Sequence, residues 1–398
     1  MRQTWALLID AYRDLNSRKL FWIVLILSTV VAASFFAVGI DDRGASIFGH
    51  VFFPDYNTHF VKRSEFYKEV FVGYGIDTWL SLVAIALALI STASIFPEFL
   101  AGGAVDLYLS KPISRIRLFL TKYFCGLLFV AMQIFCFCLT CFLVIGIRGG
   151  EWLPGVFLAV PIVLLFYSYL FAICVFWGVW TRSTIAALLL TILCWFVIFG
   201  VHFAEVAMLR MQYSDEVRSK QLEERITRES AILKQVDKQL AEQPDPVATQ
   251  PTTRAAMAFW KTLFPGPDNE NVDPRVRLRE RTYDQLTADQ EERLQYTGTI
   301  VFWHKAFYLV MTALPKTSET VDLLTRVLIK NTGMEGSDAT RQSDDMSDDN
   351  RVQLEDQAQQ MFIKELNSRS VSWVAGTSVG FEVVVMMIAA WMFCRRDY

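Results

Sequence analysis

The chain has 398 residues, 53% of them hydrophobic, with 31 Phe and 11 Trp, and a formal net charge of only -3. Its apolar residues come in long blocks, unlike the pattern of a soluble core, and the near-neutral balance gives no electrostatic basis for a nucleic-acid partner. All seven cysteines lie in or beside those blocks, so no disulfide framework of a secreted domain is encoded.

At the N-terminus, Trp5, Leu8, Tyr12 and Leu15 recur on one helical face of residues 2–19, with Arg13, Asp14 and Arg18 elsewhere. This pattern predicts an amphipathic helix lying in the membrane interface; a plain extension of the first span is the alternative. A crossing needs about 20 apolar residues, because a helix rises about 1.5 Å per residue through about 30 Å of hydrocarbon. Six stretches qualify, near 20–40, 76–96, 118–147, 154–180, 183–203 and 373–394. The first follows a charged stretch and lacks a small-residue cleavage site, so it is expected as an uncleaved span.

Orientation follows from Lys and Arg, which are retained on the cytoplasmic side. One set of span ends carries Arg2, Arg13, Arg18, Lys19, Lys111, Arg115, Arg117, Lys122, Arg182, Arg395 and Arg396; the opposite short loops carry only Arg43, Lys62, Arg63, Lys68 and Arg148. Both termini are therefore expected inside. The expected architecture is an all-α inner-membrane protein with six transmembrane helices. Residues 1–203 form the membrane domain, 204–372 a large helical extracytoplasmic insertion between spans five and six, and 373–398 the last span and a cytoplasmic tail.

The insertion begins with a charged stretch that has no breaker before Pro244 and Pro246, and is expected to be helical. Leu222, Ile226, Leu233, Val236 and Leu240 form a seam interrupted by Glu229, which fits either a short coiled-coil contact or a solvated single helix. Residues 243–274 read as a linker containing one small apolar piece. A second helix is expected to open at Thr287, with Gln290 completing a capping box, and to run toward Pro315. Its apolar part, Ile300 to Leu314, is too short to cross and is expected to pack on the outer mouth of the spans. Residues 333–350 are acidic and nearly free of large apolar groups, the composition of a disordered loop.

The most informative stretch is the cytoplasmic loop 97–117 between the second and third spans. Gly102 and Gly103 permit a tight bend, the segment holding Asp106 suits a short helix, and Lys111, Arg115 and Arg117 surround Pro112. Those charges fit a docking surface for a cytoplasmic protein, or serve only to fix the topology. Glu98, Gly102, Gly103, Leu109, Ser110, Lys111, Pro112, Ile113, Ser114 and Arg115 together make a pattern that resembles the type 2 ABC transporter permeases, especially their prokaryotic branch. The resemblance extends to the N-terminal helix, the six spans, the outer stretch Ala313 to Thr317 and the terminus Phe393 to Tyr398, a little over half the chain.

The resemblance implies a permease subunit of an ATP-driven exporter, paired with a second permease as homodimer or heterodimer. Two separate ATPase subunits would bind ATP and Mg and hold the loop helix in a groove. The insertion is much longer than the family's usual outer hairpin, which leaves room for an extracytoplasmic protein partner. Independently of the resemblance, no GxxxxGK[ST] sequence occurs, so the chain cannot cradle nucleotide phosphates by that route and no cofactor is expected on it.

Glu382 falls midway along the last span, where comparable charged groups cost about 2.5 to 3.5 kcal/mol, so it is read either as a substrate- or proton-handling group or as a hydrogen-bonded contact between helices. Gly376 and Gly380 make a GxxxG step on the same helix, suited to close packing. Cys136, Cys138 and Cys141 are spaced so that at most two converge, which suits apolar filling better than a metal site. No HExxH or GxSxG spacing occurs, so neither a zinc protease nor a serine hydrolase has support and no enzymatic activity is expected of this chain. Two other readings remain: a membrane scaffold whose outer helices bind an envelope protein, and an ion-coupled transporter working through Glu382.

Overall fold

The computed structural model describes residues 9, 13, 19–48, 50–53, 58–59, 62–101, 114–242, 274–295, 299–332 and 350–395. The helix expected at 2–19 (except Ile9, Arg13 and Lys19), residues 102–113 of the cytoplasmic loop, the linker 243–273, the acidic stretch 333–349 and the last three residues lie outside them. The chain divides into two units. One comprises Met1–Glu205, Phe307–Met346 and Arg369–Tyr398; the other comprises Val206–Ala306 and Ser347–Ser368.

Long runs of Leu, Ile, Val and Phe make the helices of the first unit, with Pro97 and Pro161 confined to the first turns of theirs. Helix α1 (Lys19–Ser34) ends in a short 3-10 turn (Phe35–Ala37). A small antiparallel sheet follows in the order β1 (Val38–Asp41), β2 (Gly44–Ile47), β3 (His50–Phe53). Helix α2 (Arg63–Val70) continues through a π-helical stretch, Phe71–Ala84, into α3 (Ile85–Thr92). After a turn at Ala93 and Ser94 comes α4 (Ile95–Ala101).

Helix α5 (Arg115–Val144) is capped by Ser114, whose Oγ accepts from the Arg117 amide at 3.3 Å, and extends as a π-helical turn, Ile145–Gly149. Pro154 opens the next segment, in keeping with its fixed φ, and leads into α6 (Ala159–Thr181). Arg182 in a left-handed conformation ends α6, its amide returning to the Gly178 carbonyl at 3.0 Å. Then come α7 (Thr184–Glu242), α8 (Pro274–Gln295), α9 (Thr299–Ala313), α10 (Thr317–Thr332), α11 (Asn350–Ser368) and α12 (Val371–Arg395).

Among the described residues, six segments are long and apolar enough to cross a membrane: Lys19–Ala37, Arg63–Leu100, Arg115–Gly149, Pro154–Thr181, Thr184–Glu242 and Val371–Arg395. Their outer faces stay apolar. Ile23, Ile26 and Val30 on α1, Ile185, Leu189 and Phe196 on α7, and Val384 and Met387 on α12 are all exposed, as hydrocarbon solvent allows and water does not. The inner faces meet in an aromatic core holding Phe96, Phe119, Phe137, Tyr167, Phe171 and Phe393. Several long apolar helices of this kind suit a membrane-embedded chain.

Two sequence expectations differ from the structure. The stretch 38–53 forms the small sheet, so the fold is not purely helical. Thr287 does not open a helix: α8 begins at Pro274, and Thr287 lies inside it, donating to the carbonyls of Tyr283 (3.1 Å) and Asp284 (2.9 Å). Within the second unit, α8 runs antiparallel to the charged part of α7. Ion pairs Arg218–Glu292 (2.7 Å), Arg225–Asp289 (3.2 Å) and Arg279–Asp237 (2.7 Å) set that register, and Leu222 and Val236 of the expected seam are buried.

Candidate functional site: the loop base and the polar groups among the helices

Of the loop residues singled out from sequence, Gly102, Gly103, Asp106, Leu109, Ser110, Lys111, Pro112 and Ile113 fall outside the described residues. Its two ends are described. Glu98 sits on α4, and Ser114, Arg115 and Arg117 start α5. Arg117 is exposed, whereas Arg115 turns to α12 and donates from Nη1 to the Cys394 carbonyl at 2.9 Å. A cation near a helix C-terminus answers the unpaired carbonyls and the negative end of the dipole there.

Above this contact the loop base is packed in rings. Phe99 stacks on Phe393 with centroids 6.3 Å apart, Phe119 meets Phe393 at 5.6 Å and Phe96 at 5.1 Å, and Lys122 lies over the Phe99 ring at 5.4 Å. Phe119 and Phe393 are fully buried. Gly178 on α6 lets Pro97 approach, since a Cβ there would stand 3.3 Å from Pro97 Cδ. Both ends of the loop are thus tied to the start of α5, the end of α12 and the end of α6.

Farther along the same helices, Glu382 has partners on both oxygens. Tyr123 of α5 donates to Oε1 at 2.7 Å, and Ser168 of α6 donates to Oε2 at 2.8 Å. Tyr123 also reaches the Ser168 carbonyl at 3.2 Å and stacks on Phe171, centroids 5.2 Å apart, which in turn stacks on Tyr167 at 5.5 Å. Tyr167 shares a hydrogen bond with Thr92 of α3. One carboxylate therefore joins α5, α6 and α12. Gly126 admits the Phe171 ring, to which a Cβ would come within 2.7 Å. Gly376 and Gly380 behave differently: both are exposed, and a Cβ on either meets nothing within 4 Å, so among the described residues the GxxxG step makes no close contact.

A second polar cluster was not legible in the sequence. Arg369, just before α12, pairs with Glu205 of α7 at 2.5 Å and with Glu319 of α10. All three side chains are nearly inaccessible, at 10%, 0% and 7% exposure, so one guanidinium is shared by two buried carboxyl groups. Burial works against the Arg369 charge, but Glu319 and Glu205 outweigh it and raise its pKa. Burial also pushes the Glu319 carboxyl up, and Arg369 only partly restores it, because that guanidinium is shared. Lys316, buried beside them, has its ammonium 4.0 Å from the Trp373 ring centroid and donates to Thr377 Oγ1 at 2.6 Å; burial lowers its pKa. Its backbone amide donates to Ser378 Oγ at 2.9 Å.

An apolar cavity of about 520 Å³ lies among the π-helical stretch, α3, α6, α7 and α10, with Phe166, Ile192, Trp195 and Phe196 in its walls and Ser318 and Asp322 among its few polar groups. Cys138 and Cys141 are buried free thiols, and among the described residues no group of three or more His, Cys, Asp or Glu is placed to hold a metal ion. The chain matches no family model, no curated protein and no solved structure with which it was compared.

Proposed function

We propose that the chain is the permease subunit of an ATP-driven exporter of the type 2 ABC class, with six crossings, both termini in the cytoplasm and residues 204–372 outside. A separate ATPase docks on loop 97–117 and hydrolyses MgATP, and a second permease completes the path. The observation that carries this reading is the bracing of the loop base: Arg115 on the Cys394 carbonyl and the Phe96, Phe99, Phe119 and Phe393 cluster. A loop that served only to fix topology has no need of such a mechanical path, whereas a loop pushed by a partner does.

The test uses the membrane complex purified with its ATPase. Lys111→Glu with Arg117→Glu reverses two loop charges while leaving the Arg115 contact intact. The double variant should bind the ATPase at least about tenfold more weakly, about 1.4 kcal/mol, and lose coupled hydrolysis. Unchanged association and unchanged coupling reject docking at this loop. The ion-coupled alternative is weakened by the geometry of Glu382, whose two oxygens are both engaged by neighbouring hydroxyls.

A further inference from the structure

The small sheet after α1 has no role in the reading above, and its geometry is polarised along the strands. At one end β1 and β2 are joined through Asp41, Asp42 and Arg43: Arg63 pairs with Asp41 at 2.8 Å and Thr58 donates to Asp42. At the other end stand Ile47, Phe48, His50 and Val51; the three apolar side chains have relative exposures of 42%, 80% and 44%, and His50 is exposed beside them. Four-residue strands separate the polar turn from this apolar tip by about 10 Å.

The level of the apolar tip is fixed. The Phe48 amide donates to the carbonyl of Ala37, the residue that closes the first apolar segment, at 2.8 Å. The adjoining Val38 carbonyl accepts from Tyr67 Oη of α2 at 2.8 Å and from Arg148 Nη2, at the end of the third segment, at 3.4 Å. Arg148 Nε also donates to Tyr67 Oη at 3.0 Å. Gly39 is needed for this bracket, because a Cβ there would come within 2.7 Å of Arg148 Nη2. The sheet is therefore held where the first and third apolar segments end and the second begins, its charged turn tied to the first residue of the second through the Arg63–Asp41 pair.

Phe48 itself has φ of 52°, the left-handed region that Gly or Asn would occupy at less cost. A bulky ring is thus presented, largely exposed, from a position whose backbone would favour a small or amide residue. We infer that the sheet is an interfacial anchor: Ile47, Phe48 and Val51 lie at the boundary of lipid headgroups and acyl chains of the leaflet where α1 ends, while Asp42 and Arg43 stand in water. A lipid surface suits this tip because apolar side chains at that depth enter the interface without losing protein contacts, and aromatic rings favour it. The inference depends on where α1 ends, not on the identity of any ATPase.

The experiment places the photo-reactive residue p-benzoylphenylalanine at Phe48, and separately at Asp42, in the full chain reconstituted into vesicles of phosphatidylethanolamine and phosphatidylglycerol. Illumination should give lipid adducts by mass spectrometry at position 48 and at most a small fraction of that yield at position 42. Crosslinking of position 48 to a second copy of the chain, absence of lipid adducts there, or equal lipid yields at both positions overturns the assignment. Radical footprinting of the unaltered chain in the same vesicles guards against a folding defect. Phe48 should be oxidised several-fold more slowly than the exposed Tyr283 of α8 after correction for ring reactivity, and equal rates reject the anchor.

Discussion

Glu382 is a half-buried acidic side chain on an apolar helix, and its surroundings show how its two oxygens are satisfied. Tyr123 and Ser168 each donate to it, yet neither depends on it: Tyr123 also reaches the Ser168 carbonyl at 3.2 Å, and Ser168 Oγ reaches the Leu165 carbonyl at 2.8 Å. Removing the carboxylate leaves both hydroxyls with an acceptor, so no buried donor is stranded. Glu382→Leu should therefore change unfolding stability by no more than about 1 kcal/mol in denaturant titration of the detergent-solubilised protein. A loss of several kcal/mol would mean that the carboxylate is a structural keystone. A stable variant in which translocation stops would instead give Glu382 a part in transport that its hydrogen bonds alone do not require.

Among the elements, α7, α10 and the start of α12 are joined by Arg369 with Glu205 and Glu319. Arg369→Met removes the guanidinium from both ion pairs and leaves two buried carboxylates facing each other, a change expected to cost about 3 to 5 kcal/mol in thermal or denaturant unfolding. The pH dependence has a defined sign. Glu319 has a folded pKa above its ordinary 4.5, with burial the largest cause, so its contribution to stability is full below that value and is lost as pH rises through the folded one. The stability of the native chain relative to Glu319→Gln should thus decline as pH rises through this window. A relative stability that grows with pH would show that Arg369 outweighs burial and holds the carboxyl down.

These elements also show what was legible in the sequence. Long apolar runs and the absence of breakers before Pro244 located the main helices, because both signals are local. The ion cluster was not legible, because Arg369 lies 164 residues from Glu205 and 50 from Glu319, and nothing local marks them as partners. The sheet was missed because Gly39, Asp41, Asp42 and Gly44 read as turn chemistry and mask short strands. At α8, a capping pattern at Thr287 competed with Pro274, and the proline prevailed: the residues between them are good helix formers, including Arg, Glu, Gln and Leu.

Taken as a whole molecule, the chain pairs a unit of apolar helices with a unit of charged ones. The aromatic core, the Glu382 contacts and the Arg369 cluster are all made of residues from the first unit. The second unit has its own ties, the ion pairs between α7 and α8. Replacing residues 210–295 by a short flexible linker should therefore leave the first unit folded and its ATPase coupling intact, since none of the groups that brace the loop base is removed. Coupled hydrolysis in reconstituted vesicles and pull-down of envelope proteins separate the exporter and scaffold readings. An exporter keeps its coupling without residues 210–295, while a scaffold loses its partner and has no coupling to keep. Loss of coupling in a truncated chain that still unfolds cooperatively at the original temperature would mean that the second unit itself takes part in the transport cycle.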